Sequence, residues 1–127
     1  MRVINIHTIS GQNERAIPGK DAATKSRFKK TCVRNPIMQV ASSLAATQRA
    51  NPYWVVLGDC NLSKDEAMDM AMTLPMKVVC HGDQKDFIFS NRNLVRVHVD
   101  EPPVAHDNAH TAVIAAVRPE VLHMTGI

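Results

Sequence analysis

Tyr53-Trp54-Val55-Val56-Leu57-Gly58-Asp59-Cys60-Asn61-Leu62 is the stretch on which the reading of the fold turns. An unbroken apolar run rich in valine and aromatics, stopped by glycine, fits a buried strand better than a helix. Its C-terminal end delivers Asp59 and Asn61. On an extended chain, residues two apart point to the same side. A carboxylate beside a carboxamide can position water, a metal ion or a phosphate oxygen. Gly-Asp-x-Asn is equally ordinary turn chemistry, and spacing alone favours the turn.

Downstream, Ser63 and Glu66 form an S-x-x-E capping box. It opens a helix that carries Ala67, Met70, Ala71 and Leu74 on one face. Further strands are expected at Met76–Cys80, Phe87–Phe89, Leu94–Val99 and Thr111–Val117, with loops at Pro102-Pro103 and 105–110. Upstream, Val3, Ile4 and Ile6 predict a strand ending near His7, followed by a loop over 10–21. Residues 22–33 carry a weak helical pattern. A clearer helix is expected to start at Pro36, with Asn35 as its N-cap. Ile37, Val40, Ala41, Leu44 and Ala45 line one face of it, and Asn51-Pro52 ends it. Strands outnumber helices and the later ones follow one another closely. The expected class is therefore α+β, a mostly antiparallel sheet with the 35–50 helix on one face.

The 127 residues suffice for one small domain. Apolar residues are 45% and charged ones 21%, a globular rather than a disordered balance. Aromatics are only 4%, so the core must rest on Val, Ile, Leu, Met and Ala. The net charge of +3 concentrates in Lys20, Lys25, Arg27, Lys29, Lys30 and Arg34. Such a run can draw a phosphate-rich partner, DNA or RNA; a solvated helix face is the plainer reading. Cys32, Cys60 and Cys80 are odd in number and widely spaced, which points to free thiols in a reducing compartment. There is no signal-peptide pattern and no membrane-length apolar run, so an intracellular protein, cytoplasmic or nuclear, is expected.

Three more segments carry candidate chemistry. In Asn5-Ile6-His7, polar residues alternate with apolar ones at the end of the first strand. In Lys85-Asp86-Phe87-Ile88-Phe89-Ser90, Asp86 opens a strand. His106-Asp107-Asn108-Ala109-His110-Thr111-Ala112-Val113 is a polar loop running into the last strand. Each has an ordinary alternative: an exposed strand face, a charged strand start, a solvated loop.

Their order along the chain resembles the endonuclease/exonuclease/phosphatase superfamily, the deoxyribonuclease-I-like fold. The resemblance runs over residues 2–117 and corresponds to the C-terminal half of that family's domain. Gly58-Asp59-Cys60-Asn61 is similar to its G-D-F-N, Asp86-Phe87-Ile88-Phe89 to its D-Y-I-F, and His110-Thr111-Ala112-Val113 to the end of its S-D-H-x-P-V. The resemblance implies half of a four-layer αββα sandwich over residues 1–118, followed by a tail over 119–127. It implies metal-dependent hydrolysis of a phosphoester by an activated water. Asp59 would orient or deprotonate that water, and Asn61 would hold the phosphate. His110 would touch a phosphate oxygen and be held by Asp86, with His7 as a second histidine. Magnesium, or manganese, would be held by Asp59, Asn61 and Asp107.

The chain departs from the family at Ala109, where the family carries aspartate. It also shows no glutamate in the context of the family's metal ligand: Glu14 is in a loop, Glu66 in a helix cap, and Glu101 before two prolines. Little activity is therefore expected of these 127 residues alone. The alternative reading is a non-catalytic binding module of the same fold, using the basic 20–34 segment. With one of two sheets missing, the inner faces of the strands are expected to lie open and to drive self-association or pairing with an N-terminal half.

Overall fold

A computed structural model describes residues 1–8, 21–46, 53–99 and 113–116. In chain order these form β1 (Arg2–His7), α1 (Ala22–Ala45), β2 (Trp54–Asp59), α2 (Lys64–Met72), β3 (Val79–Gly82), β4 (Asp86–Ser90), β5 (Val95–Val99) and β6 (Val113–Ala116). The class is α+β. The first four strands in spatial order are β1-β2-β4-β3, and β5 and β6 make a separate two-stranded sheet. Among the described residues only β1 and β2 pair in parallel, with α1 in the crossover between them; the other pairings are antiparallel.

Both helices pack on one face of the four-stranded sheet. Trp54, Val56, Phe87 and Phe89 point into that layer and meet Val33, Ile37 and Val40 of α1 and Ala67, Met70 and Ala71 of α2. Phe87 and Phe89 are fully buried, their ring centroids 6.1 Å apart. Each such side chain contributes roughly 1.5–3 kcal/mol of burial.

The helical layer corrects one expectation. Asn35 is not an N-cap, and α1 runs unbroken for 24 residues with Pro36 inside it. Its cap is Asp21, whose carboxylate accepts the Thr24 amide at 2.8 Å and the Thr24 hydroxyl at 2.9 Å. An interior proline costs about 3 kcal/mol relative to alanine. Contacts on both sides of it hold the helix together. Val33, Ile37 and Val40 continue one buried stripe across the proline. The N-terminal half is also braced to α2: Ser26 donates to Glu66, Lys29 lies 3.7 Å from Glu66, and Lys30 bonds Asp69 at 2.7 Å. The capping box at Ser63 and Glu66 forms in both directions. The strand expected at Met76–Cys80 begins later, at Val79, and extends to Gly82.

The opposite face of the sheet carries Val3, Val55, Leu57 and Ile88 in register. It is less open than the sequence suggests. Val55 and Ser90 are buried, whereas Val3 on the outer strand is 53% exposed. β5 lies against β3, and β6 against β4. The tail over 119–127 falls outside the described residues. No helix among the described residues is long and apolar enough to cross a membrane.

Gly58 is the tightest point of the sheet. Its φ is +138°, and a Cβ there would sit 2.0 Å from the Ile6 carbonyl oxygen. The left-handed backbone and the clash act together, so Gly58→Ala is expected to cost at least about 3 kcal/mol. Urea unfolding followed by circular dichroism measures this, and a loss below about 1 kcal/mol would mean that β1 and β2 do not approach as described.

Glu66 contributes to the acid sensitivity of the helical layer. Burial raises its carboxyl pKa, but the Ser26 hydroxyl, the Ser63 amide and the Lys29 charge more than reverse this, so it lies below the usual 4.5. The contribution of this carboxylate is then full above the unfolded value and fades as pH falls through the lower folded one. Thermal melts between about pH 5 and pH 3 should show a shallower loss of stability in Glu66→Gln than in the parent chain. Parallel profiles would rule the brace out.

Candidate functional site

The strand register brings three of the candidate side chains into a row. His7 at the end of β1 pairs with Asp59 at the end of β2, and Asp59 pairs with Asp86 at the start of β4. Cross-strand partners point to the same side, so all three stand on the face away from the helices. His7 Nε2 lies 3.4 Å from Asp59 Oδ2. The imidazole is 74% exposed and the carboxylate 19%. A mostly buried acceptor is thus held against the protein while its partner reaches into water.

Of the two readings of this stretch, extended chain and turn, Asn61 follows the turn: β2 ends at Asp59 and Asn61 enters the left-handed region, φ +50°. Its amide N–H donates back to Asp59 Oδ1 at 3.1 Å, closing an Asx turn. Its side chain is almost fully buried, and Nδ2 donates to the Thr8 carbonyl at 2.8 Å. The turn therefore coexists with the place of Asp59 beside His7 in the row. The loop is also braced from the β3–β4 turn. The Cys60 amide donates to the Lys85 carbonyl at 2.6 Å, and the Lys85 amide to the Leu62 carbonyl at 2.9 Å.

Cys60, which stands where the resembled motif has an aromatic, is wholly buried in the core. Burial pushes its thiol up to about 12, and burial does the same to Cys80. Both remain protonated at neutral pH, so neither supplies a nucleophilic thiolate.

His110 and Asp107 fall outside the described residues, as does Ala109. Glu66 faces α1, not the row. Among the described residues no group of three or more His, Cys, Asp or Glu is gathered tightly enough to hold a metal. Magnesium keeps several waters and is commonly held by one or two carboxylates besides substrate oxygens; Asp59 and Asp86, opposite each other in strand register, are the carboxylates of the row. Of the basic segment, Lys29 and Lys30 are matched by Glu66 and Asp69. Lys20 lies outside the described residues.

Thr8 was not legible as part of this site: its contacts with Cys60 and Asn61 span 52 and 53 residues. Comparison with protein-family models, with curated proteins and with solved structures returned no match for this chain.

Asp59→Asn separates a functional carboxylate from a structural one. The amide oxygen can still accept the Asn61 N–H, and the charge facing Asp86 is gone. Stability should be unchanged or raised by up to about 1 kcal/mol, the scale of one cross-strand pair. A loss well beyond that in chemical denaturation would assign Asp59 to the fold instead.

Proposed function

We propose that His7, Asp59 and Asp86 form the water-activating part of a divalent-cation-dependent phosphoester hydrolase site. The observation that carries this reading is the register that lines the three up at adjoining strand ends, on the face away from the helices. Asp59 is the proton acceptor for a water. One of its oxygens is fixed by the Asn61 amide, and the other lies beside the exposed imidazole of His7. As the water oxygen bonds to phosphorus, its proton passes to Asp59; the phosphorus bond to the leaving oxygen breaks, and that oxygen takes a proton from solvent. His7 and Asp86 flank the carboxylate and hold the line along which the water approaches. The resemblance adds His110 and Asp107, which precede β6 in the sequence and lie outside the described residues. Magnesium or manganese, when bound by Asp59 and Asp86, would supply charge neutralisation for the phosphoryl oxygens.

A second reading, a binding module of the same fold without turnover, draws on the engagement of Asn61 by Thr8. An asparagine whose Nδ2 already serves a backbone carbonyl has less to offer a phosphate.

The two readings separate on cation binding and hydrolysis. With two carboxylates as the protein ligands in the row, manganese should bind in about the millimolar range. Paramagnetic broadening should centre on the amides of Asp59 and Asp86 and be lost in Asp59→Asn. Hydrolysis of bis-p-nitrophenyl phosphate should be slow, cation-dependent and absent from the same variant. Binding with no turnover would favour the binding module. Neither binding nor turnover would remove the phosphoester reading.

A further inference from the structure

Thr8 uses three different groups on three consecutive residues of the β2 exit. Its amide donates to the Asp59 carbonyl at 3.0 Å, and its hydroxyl to the Cys60 carbonyl at 2.6 Å. Its own carbonyl accepts Asn61 Nδ2 at 2.8 Å. The second of these contacts has a specific consequence. The Cys60 carbonyl and the Asn61 N–H belong to one planar peptide unit, in which the two groups point in opposite directions. Gripping the carbonyl sets the plane, and the plane aims the N–H at Asp59 Oδ1, 3.1 Å away. The third contact ties down the side chain of Asn61, whose backbone lies in the left-handed region.

We infer that Thr8 is a positioning residue for Asp59: its hydroxyl orients the Cys60–Asn61 peptide, which in turn fixes the carboxylate in the attitude needed to accept a proton. This rests on the hydrolase reading of the row for its functional meaning, but the clamp is a separate physical claim. A carboxylate held at one oxygen by an oriented dipole loses little freedom when its other oxygen engages water or a cation, which is how preorganisation acts. Serine at this position keeps the hydroxyl. Valine keeps the shape and the strand preference and loses only the donor.

The test compares Thr8→Val, Thr8→Ser and Asn61→Asp in the full 127-residue chain. The last variant removes the Nδ2 donor and loosens the same peptide from the other side should the valine variant fold poorly. Hydrogen exchange at the Asn61 amide should accelerate roughly tenfold in Thr8→Val, the weight of about one hydrogen bond. The amides of Ala67 and Met70 in α2 should keep the parent rates, and Thr8→Ser should restore Asn61. Manganese affinity should fall about threefold or more in Thr8→Val and recover in Thr8→Ser. An unchanged Asn61 rate in both Thr8→Val and Asn61→Asp would overturn the clamp. So would acceleration shared equally with α2, which a general loss of stability produces, or failure of serine to rescue. A parent chain that binds no manganese would sink the hydrolase reading, while the exchange rates still decide the clamp.

Discussion

The parallel contact between β1 and β2 at Gly58 is the constraint on which the rest of this structure depends. The Ile6 carbonyl approaches Gly58 so closely that no side chain can stand there. The φ of +138° is one that glycine adopts freely and other residues rarely adopt. That approach sets the register from Arg2 opposite Trp54 to His7 opposite Asp59. It also brings Thr8 within reach of the β2 exit. A shift of one residue would send His7 to the helical face and separate it from Asp59. The geometry of the site is in this sense a consequence of one glycine.

The helical layer makes the pairing possible. Parallel neighbours need a long crossover, and α1 supplies it. The helix carries a proline in its interior, and its strength comes from elsewhere: a buried stripe on the sheet side and a polar brace to α2. Glu66 joins the two, since it completes the capping box of α2 and receives Ser26 and Lys29 of α1. The basic character of the 20–34 segment is reduced by the same brace, because part of its charge is spent inside the protein. A nucleic-acid surface would have to be built from the cations that remain.

At the ends of β2 and β4 the electrostatics run the other way. Two carboxylates face each other across β2 and β4, with an exposed imidazole on one flank. Strand pairing by itself gains nothing from such an arrangement. Its cost is softened by the Asn61 amide and by His7 on Asp59. Sites where a local rule is broken and then compensated are where chemistry is expected.

The capping box, the buried 53–57 strand, the apolar stripe of α2 and the strand at 86–90 were all legible in the sequence, since each depends on residues within a few positions of one another. Gly58-Asp59-Cys60-Asn61 was legible both as a turn and as a candidate site, and the turn forms at Asp59 and Asn61. The start of α1 was misread at Pro36 because local rules place proline in a first turn, whereas the deciding contacts lie in α2 and β2. The same applies to the exit of β2. The direction of Asn61, the three contacts of Thr8 and the row His7, Asp59 and Asp86 join positions dozens of residues apart. Local pattern carries no record of such pairs. Sequence alone offered the candidate residues; the tertiary structure decided which of the described ones meet, because the pairing of β1 with β2 is a long-range event that only the assembled sheet defines.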